Sequence, residues 1–271
     1  MNGISNLIVG AAGSIIATIL TSLAWLTWNS YRRWDALWNF IGFKRADETW
    51  LFYGNVQKEK LSPSDSGAKN YATFEYGDIA SVVLAFDRFK TSSRGKVRHS
   101  VGSDLNVADD GNVVTIGGPK WNRVTEKLLG MLGSPLYFER DVAGVIEKRR
   151  MHHSQNIYTQ AASNTQDRPL RITDYGFIIC GRGFLPGGLK GAVLIAGYTT
   201  AGVLIATEFF VRMTSPEIRT LKRRFKGDKR FAILIQGVLE VSEGRLNVSE
   251  PPKLVSLIPE SDFRNPYTYN F

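Results

Sequence analysis

The feature that most constrains this chain is an N-terminal stretch without charge. No Asp, Glu, Lys or Arg occurs between Ile4 and Trp28, and Ile, Leu, Ala and small residues dominate. At about 1.5 Å per residue, a helix of this length spans roughly 37 Å, more than a hydrocarbon core of about 30 Å. The stretch therefore predicts a transmembrane anchor over residues 1–31. A buried core helix is the alternative, although core helices of this length usually have a polar face.

The residues that follow favour an anchor over a cleaved signal peptide. A signal peptide has a basic segment before a shorter apolar core and small residues after it. Here Trp25 and Trp28 end the stretch, as at a membrane interface, and Arg32 and Arg33 follow closely. By the positive-inside rule we expect a single-pass protein in the cell membrane, with its C-terminal domain in the cytoplasm.

Small residues recur at multiples of four positions along the predicted anchor, at Gly10, Ser14 and Ser22. Small side chains at this spacing allow two helices to approach closely in lipid. A homo-oligomer held together by this face is therefore one hypothesis. The alternative is that small residues are simply common in membrane spans.

Residues 32–70 are predicted to form a juxtamembrane segment that ends in a polar loop. Trp34 and Trp38 follow Arg32 and Arg33, and bulky aromatics among basic residues are typical of a segment in the lipid headgroup region. Contact with anionic headgroups is one interpretation of this pattern. Packing of the aromatics onto the following domain is the other.

The chain is basic, with 34 Lys and Arg residues against 25 Asp and Glu residues and a formal net charge of +9. The densest basic run lies between Arg212 and Arg230. Three interpretations are open: the run contacts anionic lipid through Arg223 and Arg224, it binds nucleic acid, or it is simply exposed to solvent. The single cysteine, Cys180, lies in an apolar run, so burial as a small hydrophobe is its expected role.

Residues 71–271 are predicted to form an α/β domain. Two units repeat one arrangement, in which an apolar strand ends at glycine and the chain turns into a helix. These units are 112–116 with 120–132, and 192–196 with 201–212. Continuous apolar strands that alternate with helices indicate a parallel sheet covered on both faces, so we expect a three-layer fold of Rossmann-like type.

Further elements are predicted from the same periodicities. Strands are expected at 50–56, 175–179, 231–241 and 254–258. One helix is expected to begin at Ser215, with Pro216 in its first turn. Another is expected to begin after a cap at Asp78, and its apolar face is predicted to hold Ile79, Val82, Val83, Phe86 and Phe89.

The two strands that end in glycine indicate the candidate site. A strand that turns directly into a helix exposes backbone N–H groups at the positive end of the helix dipole. In open α/β sheets such loops line a crevice at the carboxyl ends of the strands. We therefore expect a ligand there, unless the glycines serve only to make tight turns. The candidate ligand contacts are Gly117, Gly118, Asn122, Thr125, Asp174, Gly197, Thr199, Thr200 and Gly202.

The sequence around these loops lacks the familiar motifs of catalysis. Neither loop matches GxGxxG or GxxxxGK[ST], and the chain has no HExxH, paired CxxC or GxSxG. We therefore predict no metal, no cofactor and no catalytic residue. Asp174 is a catalytic group, a ligand contact or a loop cap, and the turn preference of Asp favours the cap.

The segments 115–119, 174–176 and 194–197 together resemble a pattern of prokaryotic α/β domains that are fused to signalling or membrane modules. With a membrane span in front, the chain is similar to membrane-acting effectors of prokaryotic anti-phage immunity, of the type associated with short Argonautes or nucleotide messengers. The resemblance covers residues 72–215. It implies a role in antiviral defence and a partner protein such as an Argonaute.

Two functions follow as hypotheses. The first is a membrane-anchored effector or receptor whose α/β domain binds a ligand or partner and whose helices cluster to disrupt the membrane. The alternative is a membrane-anchored enzyme that acts on a nucleotide or sugar-phosphate at the glycine loops. The missing catalytic dyad favours the first, because an enzyme needs a positioned acid, base or nucleophile.

Overall fold

A computed structural model describes most of the backbone. The described residues are 18–25, 28, 35–54, 68–92, 95–101, 105, 111–119, 122–138, 150–163, 170–183, 185, 188–197, 199–242 and 245–264. The side chains of residues 68–78 lie outside this description. The fold and the candidate site are built from these residues.

The described part of the predicted anchor includes a helical run at residues 18–25, whose side chains are exposed. Among the described residues, no helix combines the length and the apolar character needed to cross a membrane. The predicted single-pass anchor and the membrane localisation are therefore wrong. Gly10 and Ser14 lie outside the described residues.

The described chain forms a series of strands and helices. The strands are β1 (Thr49–Tyr53), β2 (Val97–Val101), β3 (Asn112–Ile116), β4 (Leu136–Phe138), β5 (Arg150–His153), β6 (Asn156–Thr159), β7 (Ala161–Ser163), β8 (Leu170–Arg182), β9 (Gly191–Gly197), β10 (Arg230–Ser242), β11 (Arg245–Val248) and β12 (Lys253–Ile258). The helices are α1 (35–41), α2 (Ala68–Ser92), α3 (Arg123–Leu132), α4 (Thr200–Arg212) and α5 (Ser215–Arg224), with a 3-10 turn at Glu260–Asp262.

The main sheet is mixed and curled, and its strand order is β11-β10-β8-β9-β3-β1-β2. β2, β1, β3 and β9 are parallel, whereas β8 is antiparallel to both β9 and β10. A parallel neighbour needs a long crossover, and the link from Arg182 to Gly191 is too short for one. The α/β class is confirmed, but the prediction of a parallel sheet holds only for β2, β1, β3 and β9. β4, β5 and β6 form a separate small sheet.

Helices cover both faces of the main sheet. One core cluster packs α1, α2, α4 and α5 on the face that includes Val114 and Ile195. The other packs α3, β4 and β5 on the face that includes Val113 and Leu194. Successive residues of a strand point to opposite faces, so Val113 and Val114 belong to different layers. Cys180 is fully buried on the α4 face, and burial raises the pKa of its thiol to about 12, as befits a small buried hydrophobe.

Helix α1 belongs to this core. Trp38 is 2% exposed, and its ring centroid lies 5.7 Å from that of Phe43 and 5.6 Å from that of Phe89. The membrane-surface contact predicted for Trp38 is therefore wrong, because other rings of the domain enclose its side chain. β1 lies between β2 and β3, so residues 35–53 contribute to the domain together with elements from the predicted 71–271.

Helix α2 starts upstream of the predicted cap at Asp78. Ile79 and Val83, which the periodicity assigns to the apolar face, are 55% and 61% exposed. Phe89 is buried as predicted, but the buried stripe otherwise includes Ser81 and Ala85. α2 packs against α4, and small side chains allow the two helices to lie close together. The helix is therefore rotated relative to the prediction, because its contact with α4 decides which side faces inward.

Other predicted elements agree with the structure. The apolar runs at 112–116, 192–196 and 231–241 form β3, β9 and β10, and strands are also found at 175–179 and 254–258, within β8 and β12. The helix predicted at Ser215 is α5. Thr214 is its N-cap, and the side chain of Glu217 completes a capping box.

Candidate functional site

The two glycine loops meet at one edge of the main sheet. β3 and β9 are parallel neighbours, so the loops that follow Ile116 and Gly197 leave the same edge. The backbone N–H of Gly117 donates to the carbonyl oxygen of Ile195 at 3.1 Å and joins the two. From this edge α3 passes to one face of the sheet and α4 to the other. Because these two neighbouring parallel strands send their helices to opposite faces, the loops separate at this edge of the sheet, and this is where we look for a ligand.

Asn122 builds the α3 side of the crevice. Its Oδ1 accepts hydrogen bonds from two backbone N–H groups of the first helical turn, at 3.0 and 3.2 Å. Its Nδ2 donates to the carbonyl oxygens of Ile116 at 3.0 Å and Phe52 at 3.4 Å, at the ends of β3 and β1. Thr125 Oγ1 donates to the carbonyl oxygen of Gly117 at 3.1 Å. Both predicted ligand contacts therefore bond to the chain itself.

Asp174 lies at the start of α4, on β8, and is 1% exposed. Its Oδ2 accepts from the backbone N–H of Gly202 at 3.0 Å and from the hydroxyl of Thr199. Its Oδ1 accepts from the backbone N–H of Tyr175 at 2.8 Å. Thr199 is also the N-cap of α4, where its Oγ1 accepts from the N–H of Ala201 at 3.1 Å. The positive end of the α4 dipole therefore already faces a carboxylate of the chain.

Glycines at this edge allow the backbone of α4 to touch the sheet. A Cβ on Gly202 would lie 2.2 Å from the carbonyl oxygen of Tyr175, and one on Gly197 would lie 2.4 Å from the carbonyl carbon of Gly202. A Cβ on Gly118 would lie 2.7 Å from the carbonyl oxygen of Gly197. Gly117 has φ of +110°, which side chains disfavour. These four glycines therefore have a packing or conformational role that requires no ligand.

Polar and aromatic side chains that sequence reasoning missed lie close to this edge. Gln160 Nε2 donates to Thr199 Oγ1 at 3.4 Å, and Gln236 Nε2 donates to the Tyr175 hydroxyl at 2.8 Å. The ring centroids of Tyr158 and Tyr175 are 5.1 Å apart. All of these side chains are partly exposed. They come from β6, β8, β10 and the residue that links β6 to β7, so no spacing motif predicts them. The one sequence feature that points to any of them is that Tyr175 directly follows the candidate residue Asp174.

The crevice offers hydrogen bonds and ring faces. Desolvation raises the pKa of the Tyr158 phenol above its usual value, so this group is neutral at physiological pH. Thr200 Oγ1 is buried, and it has no hydrogen-bond partner among the described residues. In the described part of the chain, no three His, Cys, Asp or Glu side chains are grouped to hold a metal ion.

The structure brings the predicted ligand contacts together at this edge, and it places the predicted surface contacts elsewhere. Arg223 and Arg224 are exposed on α5, and Ser22 is exposed in the helical run 18–25. The remaining predicted surface residues lie outside the described part of the chain: Arg32, Arg33 and Trp34.

Comparison with known proteins gives no match: no protein-family model, no curated protein and no solved structure matches this chain. The resemblance to membrane-anchored effectors of anti-phage immunity is wrong. It depended on a membrane span, and the described residues contain no helix that could form one.

Proposed function

We propose that this chain contains a non-catalytic binding domain of Rossmann-like type, which takes a neutral ligand with an aromatic ring at the edge where β3 and β9 end. The observation that carries the proposal is the divergence of α3 and α4 from two neighbouring parallel strands onto opposite faces of the sheet. In open α/β sheets, ligands bind in the crevice that such a divergence leaves.

The helix caps support a neutral ligand. Phosphate groups bind at helix N-termini through free backbone N–H groups. At α4 the Asp174 carboxylate accepts the N–H of Gly202, and at α3 the Asn122 amide accepts two N–H groups. A phosphate at α4 would also lie close to the Asp174 carboxylate, and like charges repel strongly where water is excluded. A ligand without a phosphate meets neither obstacle.

The partly exposed side chains support a ligand with a ring. Tyr158 and Tyr175 are partly exposed, and their ring centroids lie 5.1 Å apart. A flat ring gains by stacking on or against such rings. Gln160 and Gln236 each carry a hydrogen-bond donor and an acceptor on one amide. A nucleoside combines a flat ring with neutral donors and acceptors, so it is the ligand class that we assign to this edge.

The alternative function, catalysis on a nucleotide or sugar-phosphate, receives less support. Such an enzyme needs an acid, base or nucleophile that can reach the substrate. Asp174 is buried, and both of its carboxylate oxygens accept hydrogen bonds from the α4 cap or from its neighbour. The same carboxylate would repel a phosphate.

Isothermal titration calorimetry of the full chain with adenosine, uridine and their 5′-monophosphates tests the proposal. We expect at least one nucleoside to bind, and its monophosphate to bind at least tenfold more weakly. Tyr158→Ala should weaken nucleoside binding about fivefold, since one aromatic contact contributes about 1 kcal/mol. Tyr137→Ala, which changes a tyrosine that is 37% exposed on β4, should bind like the parent. Equal affinity for nucleoside and monophosphate, or no effect of Tyr158→Ala, would contradict the proposal.

A further inference from the structure

Helix α5 and the turn after it carry a dense group of exposed cations, which we call the α5 basic patch. All of its side chains are exposed, and they lie within one short stretch of chain. The patch consists of Arg219, Lys222, Arg223, Arg224, Lys226 and Lys229. The formal net charge of the whole chain is +9, and these six cations lie close together in the sequence.

Neighbouring acids do not neutralise the α5 basic patch. Glu217 Oε2 accepts from the backbone N–H of Thr214 at 2.6 Å, within the capping box. Asp228 Oδ2 accepts from the backbone N–H of Glu260 at 3.4 Å. Nearby cations do form ion pairs, as Arg230 does with Glu260 at 3.2 Å. Within the described part of the chain, no patch cation forms an ion pair.

The backbone that carries the α5 basic patch is held in place by the core. Ile218, Leu221 and Phe225 anchor α5 in the core, at 4% exposure or less. After the helix, Arg182 Nη1 donates to the carbonyl oxygens of Phe225 and Asp228, each at 3.2 Å, and so holds the turn. Long cationic side chains on a rigid backbone lose less freedom on binding than those on a mobile loop. The geometry therefore suits a polyanion with regularly spaced charges.

The apolar side of α5 distinguishes between a lipid surface and nucleic acid. A helix that binds a bilayer surface inserts an apolar face between the lipids. The apolar residues Ile218, Leu221 and Phe225 are buried in the domain, so none is free to insert. No aromatic side chain of α5 is available to stack on unpaired bases either, since its sequence is SPEIRTLKRR. Any partner is therefore held by charge alone, and a nucleic-acid duplex offers phosphate charges at a fixed spacing.

We propose that the α5 basic patch binds the phosphate backbone of double-stranded nucleic acid without reading its sequence. Ten residues of helix extend about 15 Å, and duplex DNA carries one charge per about 1.7 Å of its axis. About nine phosphate charges, counted over both strands, therefore lie along a length of duplex equal to that of α5. This surface is separate from the edge where β3 and β9 end, and it does not depend on the proposed ligand.

Fluorescence anisotropy of the full chain with a labelled 20-base-pair DNA duplex tests this proposal. If all six cations meet phosphates, log Kobs should fall against log[salt] with a slope of about −5. The triple variant R219Q/R223Q/K226Q should bind at least tenfold more weakly at 100 mM salt, and its slope should be shallower by about 3. The variant R219K/R223K keeps both charges and should bind like the parent.

A matched control separates the patch from net charge. The triple variant K90Q/K96Q/R123Q removes three exposed cations elsewhere that form no ion pair among the described residues, and it lowers the net charge equally. It should retain the affinity of the parent. An equal loss in both triple variants would overturn the proposal, and so would absence of duplex binding by the parent. Binding of the parent to vesicles of anionic phospholipid but not to the duplex would assign the patch to a lipid surface and would also overturn the proposal.

Circular dichroism spectra and melting curves confirm that each variant is folded. If the R219Q/R223Q/K226Q variant is unfolded, the single variant R223Q replaces it, with a slope shallower by about 1 as the expected result.

Discussion

Helices α4 and α5 follow one another along the chain, yet they have opposite characters. α4 buries nine of its residues against the sheet and α2, whereas α5 buries two. Both helices begin with a Thr cap supported by a carboxylate. At α4 the carboxylate is the buried Asp174 on another strand, and at α5 it is the exposed Glu217 of the same turn. The same capping chemistry therefore serves a core helix and a surface helix.

The comparison shows where each helix is free to change. At α4 the glycines and the buried carboxylate meet backbone atoms at close range, so a substitution there disturbs packing as well as any binding. At α5 the outer side chains make no ion pairs within the described chain, so they are free to serve a partner. If this contrast is correct, the energetic cost of substitution falls steeply from the start of α4 to the outer face of α5.

Gly202→Ala should have the largest effect on stability. Helix propensity alone predicts a gain of about 1 kcal/mol for this change. The new Cβ would lie 2.2 Å from the carbonyl oxygen of Tyr175, so α4 must move away from β8, and we expect a loss of about 3 kcal/mol instead. Urea unfolding followed by circular dichroism measures the difference. Thr220→Ala on the exposed face of α5 is the control, with an expected change below about 0.5 kcal/mol. A stabilised Gly202→Ala variant would show that α4 does not lie as close to the sheet as the structure has it.

Asp174→Ala should have the next largest effect. It leaves the Gly202 N–H and the Thr199 hydroxyl without their acceptor at a buried position, and we expect a loss of about 2 to 3 kcal/mol in the free energy of unfolding. Asp174→Asn retains one acceptor oxygen and should lose less. Unchanged stability of Asp174→Ala, together with lost nucleoside binding in calorimetry, would instead identify Asp174 as a ligand contact.

Thr214→Ala removes the equivalent cap from α5 and should cost about 1 kcal/mol. The effect should be smaller than that of Asp174→Ala, because water can replace the lost hydrogen bond at this exposed position. The same urea titration measures it. A loss as large as that of Asp174→Ala would mean that α5 is as integral to the core as α4, and would remove the contrast between the two helices.

The sequence predicts those elements whose burial does not depend on which other element covers them. β3 and β9 are apolar on both sides, so any pair of covering layers buries them. α2 is different, because its inward side depends on the small residues that meet α4, and periodicity alone selected Ile79 and Val83. The prediction for Trp38 was wrong for a related reason. Aromatics that follow arginines give the same sequence pattern whether they contact lipid or pack against rings such as those of Phe43 and Phe89.

The candidate site was predictable to a similar degree. The glycine-ended strands indicated that the two loops meet at one edge of the sheet, and they do, because β3 and β9 are parallel neighbours. The partners of Asp174 were not predictable, since Gly202 and Thr199 reach it only when β8 pairs with β9. Tyr158 and Gln160 lie on or beside short polar strands without periodicity, and only their pairing in space brings them to the crevice.

The smallest effect is expected at the outer face of α5. The R219Q/R223Q/K226Q variant should change the free energy of unfolding by less than about 0.5 kcal/mol, because exposed side chains without partners contribute little to stability. A slight gain is the more natural direction, since closely spaced like charges on one helix repel each other. Loss of the favourable interaction between cations and the helix C-terminus works in the opposite direction and is of similar size. Urea unfolding at 50 mM and 500 mM salt measures the sum of these two electrostatic effects, which should shrink as salt screens both. A loss of more than about 1 kcal/mol at either salt concentration would show that these cations stabilise the fold itself. The α5 basic patch would then be a structural feature, and the contrast with α4 would not hold.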